Sequence, residues 1–261
     1  MFGFRSKSAF VREMLYTNAN MDRTVWEQGN DILKEAHILI AGSTGCGKST
    51  LIHKLMHTAL AYTPASKQFI LIDMKAGMEL GKYAHLPHVR GFARSYTDAV
   101  KLIGQAADLV ASRCDTMYKQ GKTLWDGADT YILIDELSFL LQCDEEHGFS
   151  ALKKLVFISQ QGRAAKVHLL LATQAPNRSR YGIPANLALN MTCKIGLHCM
   201  TAIESRQIIG LNGCENLPEH GTAFMVKGGK VWTLPISMVG EDTIQERINY
   251  WLDKSRCVIY K

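Results

Sequence analysis

The chain has 261 residues, 47% of them apolar and 21% charged, and a formal net charge of +6. This is the composition of an ordinary soluble globular protein, long enough for one large α/β domain with a true core or for two small ones. No apolar stretch approaches bilayer length, and the opening Met-Phe-Gly-Phe-Arg-Ser-Lys-Ser carries no continuous apolar signal segment, which predicts a cytoplasmic protein with no membrane segment of its own. The excess of positive charge suits a polyanionic partner without requiring one. Seven cysteines form no C-x-x-C pair and no zinc spacing, so they read as reduced thiols.

In chain order, Ala9–Tyr16 is a candidate short helix, and Asn18–Asn30 is a polar approach to the core. His37–Ala41 is an apolar run that reads as a buried strand, and Thr50–Met56 reads as the first turns of a helix. His53 and His57 lie four apart there, but no third ligand is evident, so packing histidines are expected rather than a metal site. Gln68–Asp73 is a second strand ending in an acid. Thr97–Gln120 has a helical apolar repeat, capped in front by Thr97 or Asp98 and stopped near Gly121. Tyr131–Glu136 is a strand closing on two acids, followed by a helix from about Phe149 to Ala165 and a strand from Val167 to Gln174. Thr192–His198, Thr222–Val226 and Lys230–Leu234 read as further strands, with a hairpin turn at Lys227-Gly228-Gly229-Lys230.

Near-continuous apolar strands separated by helices predict an α/β fold: a mostly parallel sheet with helices on both faces and a C-terminal β extension. The expected organisation is an N-terminal approach segment at 1–30, one main α/β domain at 31–240, and a C-terminal helix or tail at 241–261.

Between the first strand and its helix, residues 42–49 read Gly-Ser-Thr-Gly-Cys-Gly-Lys-Ser, the phosphate-loop pattern G-x-x-x-x-G-K-[ST]. Glycines there let several N–H groups converge on one anion, and the helix start adds its positive dipole end. Gly42, Ser43, Thr44, Gly45, Cys46, Gly47, Lys48, Ser49 and Thr50 are the expected ATP-binding residues. Lys48 is expected to reach the β- and γ-phosphates and Ser49 to offer an oxygen to Mg²⁺. Asp135 is expected to hold a water on Mg²⁺, and Glu136 to polarise the attacking water. Gln174, at the tip of the neighbouring strand, suits a hydrogen bond to the γ-phosphate or the water. No Asn-Lys-x-Asp element for guanine is present, and Arg178 and Arg180 make only a meagre kinase lid.

With these residues assembled, the chain resembles the motor domain of the FtsK/SpoIIIE family of DNA translocases. The resemblance runs from Ile38 to Val226 through the phosphate loop, Leu71-Ile72-Asp73-Met74-Lys75, Ile134-Asp135-Glu136 and Gln161–Gln174, and includes Ile203–Gly210. The Gly162-Arg163-Ala164-Ala165 block leading into Ala172-Thr173-Gln174 is its most specific part. The resemblance implies a RecA-like P-loop NTPase core, a ring of six subunits with DNA in its hole, and ATP between neighbours. It assigns Arg163 as the arginine supplied to the adjacent subunit, with Arg206 as the substitute, and makes Arg178 and Arg180 DNA-contact candidates. Ala175 stands where the family commonly has arginine, and Met74 where it has proline. With no winged-helix module evident, a short stand-alone form is expected, as in conjugative or mobile elements, with a membrane-bound or DNA-loading partner supplying the address. A type VII secretion-like ATPase acting on polypeptides is the rival reading.

Overall fold

The computed structural model describes residues 23–174 and 182–259. Ala9–Tyr16, Arg178 and Arg180 lie outside them. Helix α1 (Arg23–Ile32) packs on α2 (Lys48–Ala59), which follows strand β1 (His37–Ala41) and the phosphate loop. Then come β2 (Lys67–Asp73), β3 (Val89–Ala93), α3 (Tyr96–Lys119), β4 (Asp129–Asp135), α4 (Leu137–Glu145), α5 (Ser150–Ala165) and β5 (Val167–Thr173). The chain continues through α6 (Ala185–Ala188), β6 (Cys193–Gly196), α7 (Ala202–Ile209), β7 (Thr222–Lys227), β8 (Lys230–Pro235) and α8 (Glu241–Ile259).

All eight strands form one sheet in the order β3-β2-β4-β5-β1-β6-β7-β8. The first six are parallel, and β7 and β8 add the antiparallel extension. Alternate residues of each central strand feed opposite cores, as the pleat requires. Ile38, Phe69, Leu71, Leu133 and Leu170 face α2 and α8; Leu39, Ile72, Ile132, Ile134 and Leu171 face α3, α4 and α5. Burial on both faces explains why these strands read as apolar runs rather than alternating ones.

Three expectations change, and the helix-or-tail alternative at the C-terminus resolves to a helix. Residues 23–32 are helical, so the polar stretch before the core is not merely an approach: Gln28 accepts from Lys54 Nζ (2.7 Å) and Asn30 from the Tyr62 hydroxyl (2.5 Å). The cap of α3 is Ser95, whose hydroxyl accepts the Asp98 N–H, rather than Thr97 or Asp98. Residues 241–259 form a helix docked on the main core, not a tail: Ile244, Ile248 and Trp251 are buried, and Trp251 Nε1 donates to the Leu60 carbonyl at 2.8 Å. Finally, β3 and α4 are elements that the sequence pattern does not reveal.

Three histidines are sealed in this core. Burial is the main cause that lowers His37 and His88 to about 4 and His57 to about 3, with Arg247's charge adding to the last. His37 Nδ1 accepts the Leu169 N–H (3.0 Å), a bond that protonation removes. The unfolded chain, with histidines near 6.5, therefore binds protons that the native state refuses as pH falls below that value. The stability these groups confer is complete above about pH 6.5 and is lost toward pH 4, at about 1.4 kcal/mol per pH unit for each. Denaturant midpoints are expected to drop between about pH 7.5 and about pH 5, with a shallower slope in His88→Gln. A flat profile would contradict the burial assignment.

Candidate nucleotide site

The carboxyl ends of β1, β2, β4 and β5 lie side by side, where parallel sheets place ligands. From β1, the loop 42–47 turns directly into α2. Gly45 (φ 80°) and Gly47 (φ 100°) hold left-handed conformations that close the loop, and Gly47 is the N-cap residue of α2. Ser43 N–H donates to the His198 carbonyl (2.9 Å), which ties the loop to the segment after β6. Lys48 is buried, and its ammonium donates to the carbonyls of Gly42 (2.7 Å) and Ser43 (2.6 Å). Burial lowers its pKa, while the neighbouring Cys46 and Glu136 oppose the shift.

From β4 come Asp135 and Glu136. Asp135 is 1% exposed, and its Oδ2 is buried without a hydrogen-bond partner among the described residues. Burial raises its pKa, and Lys75 works against that rise from 3.3 Å. Glu136 adopts φ 66°, ψ 65° at the N-cap of α4, a left-handed conformation uncommon for a residue with a side chain. Its Oε1 accepts from the Ser138 hydroxyl (2.6 Å), the Gln174 N–H (3.0 Å) and the Thr173 hydroxyl (3.4 Å). These contacts fix the carboxylate against the end of β5 and offset the backbone strain. Gln174 Oε1 in turn accepts from the Thr44 hydroxyl at 2.7 Å, joining the phosphate loop to the strand that carries the glutamine.

A cavity of about 210 Å³ lies between them, lined by Gly45, Gly47, Lys48, Ser49, Thr50, Lys75 and Gln174. The structure thus brings Lys48, Ser49, Thr50 and Gln174 together around one space, with Asp135 and Glu136 joined to it through Lys75. It does not bring Arg163 there. That residue is exposed in the last turn of α5 and lines a cleft of about 600 Å³ with Asp129, Lys166 and His168, beside the starting ends of the strands. A strand of this length separates the two ends by roughly 20 Å. Arg206 is also exposed, bonded to Asn212 (2.7 Å), and lines a third space of about 440 Å³ with Leu189 and Lys194. Neither larger cleft adjoins the phosphate loop.

Sequence reasoning left Lys75 without a role, although it stands two residues beyond the acid that ends β2. That acid is the signal: Asp73, fully buried, accepts the N–H groups of Lys75 (3.0 Å), Glu79 (2.9 Å) and Leu80 (2.9 Å). It organises the turn that presents Lys75 to the site.

Sheet topology and the loop at 42–49 together make a P-loop nucleotide-binding fold. Among the described residues, no helix is long and apolar enough to cross a membrane. The model of the FtsK/SpoIIIE family matches residues 21–131. Proteins named DNA translocase FtsK align with 84% of the chain: that of Brucella melitensis at 26% identity and that of Lactiplantibacillus plantarum at 28%. The chain is thus similar to the FtsK/SpoIIIE family over residues 21–131 and to its curated translocases over most of its length. It spans about a third of those two relatives, 32% and 30% of their lengths. Among solved structures, the pCW3 conjugation coupling protein TcpA with ATPγS superposes with a TM-score of 0.73 at 20% identity, over 84% of this chain and 66% of that one. EssC (ATPases 2 and 3) from Geobacillus thermodenitrificans gives 0.68 at 19% identity, over 87% and 44%. The cytoplasmic domain of the type VII secretion ATPase EccC from Thermomonospora curvata gives 0.65 at 24%, over 83% and 28%. At such identities the likeness is one of fold.

Proposed function

We propose that this chain is the motor of an ATP-driven DNA translocase, acting in the cytoplasm as a ring of six, in conjugative or mobile-element transfer. The observation that carries the reading is the convergence of a phosphate loop, two carboxylates and a glutamine at adjacent strand ends, in a chain whose curated relatives are named DNA translocases. The TcpA likeness favours a conjugative setting.

The cavity is smaller than the roughly 300–1,000 Å³ of sites that enclose a whole small molecule. It suits the phosphate tail and leaves the nucleoside on the open side, where a neighbouring subunit would cover it. Lys48 would leave its loop carbonyls for the β- and γ-phosphates. Asp135 Oδ2, buried and without a hydrogen-bond partner among the described residues, fits a hydrated Mg²⁺, with the Ser49 hydroxyl as the second protein oxygen. When bound, the ion would neutralise charge developing on the phosphates. Glu136 would take the proton of the attacking water, its carboxylate aimed by Ser138 and the Gln174 N–H. Gln174, released from Thr44, would register the phosphate and pass that state to residues 175–181, where Arg178 and Arg180 are the proposed DNA contacts. Arg163, remote from its own phosphate loop, would serve the neighbour's, with Arg206 as the substitute.

ATP turnover by the purified chain is expected to rise severalfold on adding DNA, single-stranded or duplex, and the gain should fall steeply as salt increases. No turnover at concentrations that let copies assemble, or turnover indifferent to both DNA forms, would defeat the reading. The EccC and EssC likenesses favour a second one, a secretion ATPase. Stimulation by a secreted polypeptide, with none by DNA, would select it.

A further inference from the structure

We propose that Lys75 reads the terminal phosphate. In this structure its ammonium lies on Asp135 and Glu136, and a bound triphosphate would draw it onto the γ-phosphate, a contact that a diphosphate does not offer. The inference rests on the ATP-binding reading above.

Three observations carry it. Lys75 is held in place by design of the backbone: the buried carboxylate of Asp73 binds its N–H and those of Glu79 and Leu80, and Ala76 (φ 61°) and Gly77 (φ 84°) complete the turn. A surface lysine needs no such scaffold. Lys75 lines the same 210 Å³ cavity as Lys48 and Gln174, so two lysines border one small space. Like charges in a shared cavity favour an anion between them. Lys48 comes from the phosphate-loop side, and Lys75 from the side of Glu136 and Gln174, where the third phosphate would lie.

The contacts that now hold Lys75 are loose. It stands 3.3 Å from Asp135 Oδ2 and 3.7 Å from Glu136 Oε2, beyond the roughly 2.7–2.9 Å of a charge-assisted hydrogen bond. Among the described residues, Asp135 Oδ2 has no hydrogen-bond partner despite its burial. Lys75 cannot share that oxygen with a divalent cation without like-charge repulsion, so magnesium–nucleotide binding and departure of Lys75 from Asp135 go together. The side chain is 27% exposed, which leaves it room to swing.

The test compares equilibrium binding of a fluorescent non-hydrolysable ATP analogue and of the matching ADP, each with Mg²⁺, to wild type, Lys75→Met and Lys75→Arg. In Lys75→Met the triphosphate affinity should fall about tenfold while ADP affinity stays within about twofold. Lys75→Arg, which keeps the charge, should retain most of the preference for triphosphate. Thermal melting of each variant checks the fold, and Lys75→Gln replaces the methionine variant if that one melts early. An unchanged triphosphate-to-diphosphate ratio in Lys75→Met, or equal loss of both nucleotides, overturns the inference. Failure of wild type to bind either nucleotide would overturn the ATPase reading instead.

Discussion

Glu136→Gln is expected to bind ATP within a few-fold of wild type yet turn it over about 100-fold or more slowly, since a positioned general base is worth about 10²–10⁴ in rate. The exchange conserves shape, so the Ser138 hydroxyl and the Gln174 and Thr173 donors still find an oxygen on the side chain. What disappears is the negative charge that receives the proton. Single-turnover hydrolysis and a parallel binding isotherm separate the two effects. Wild-type turnover in this variant would move the base to another residue, and loss of binding would mean that Glu136 holds the loop rather than the water.

Lys48→Ala has the other large effect, on binding. Its ammonium is the buried cation of the phosphate loop, held by two carbonyls of that loop. Removing it strips a charge-assisted contact from the phosphates and leaves the Gly42 and Ser43 carbonyls facing one another without a donor. Titration with a fluorescent ATP analogue is expected to show affinity reduced at least about 100-fold, with turnover lost in step. Retention of normal hydrolysis would remove residues 42–49 from consideration as the catalytic loop.

Much of this fold is legible in the sequence because its central strands are buried on both faces. His37–Ala41, Phe69–Ile72 and Tyr131–Ile134 are apolar runs for that reason, and turn or helix signals bracket them. What escapes detection has a physical cause in each case. Strand β3 is an edge strand of mixed exposure, with Arg90 outward and a register shift opposite Phe69–Ile70, so its residues carry no clean period. Helix α4 starts directly from Glu136 with no loop and no side-chain cap, and a left-handed glutamate is not a start signal that can be read from sequence. The polar stretch before the core hides α1, because its Gln28 and Asn30 spend their polarity on Lys54 and Tyr62 rather than on water.

The candidate site divides the same way. Lys48, Asp135 and Glu136 stand at fixed places in chain order around strand ends, whereas Lys75 gains its meaning only from the Asp73 clamp and from adjacency of β2 to β4. The Gly162-Arg163-Ala164-Ala165 block, distinctive in sequence, has a packing cause as well: a side chain at Gly162 would collide with the Val167 carbonyl oxygen, where α5 folds back onto β5.

The distance between Arg163 and the phosphate loop has a further consequence for any copy working by itself. If Arg163 serves a neighbour's phosphate loop, as proposed, its place at the opposite pole of the sheet from its own loop would make occupancy and turnover separable quantities. A solitary chain would stay charged with fuel and idle, and dilution would silence it without emptying it. Cleavage would then report how crowded the copies are, so that fuel is burned only where they have been gathered.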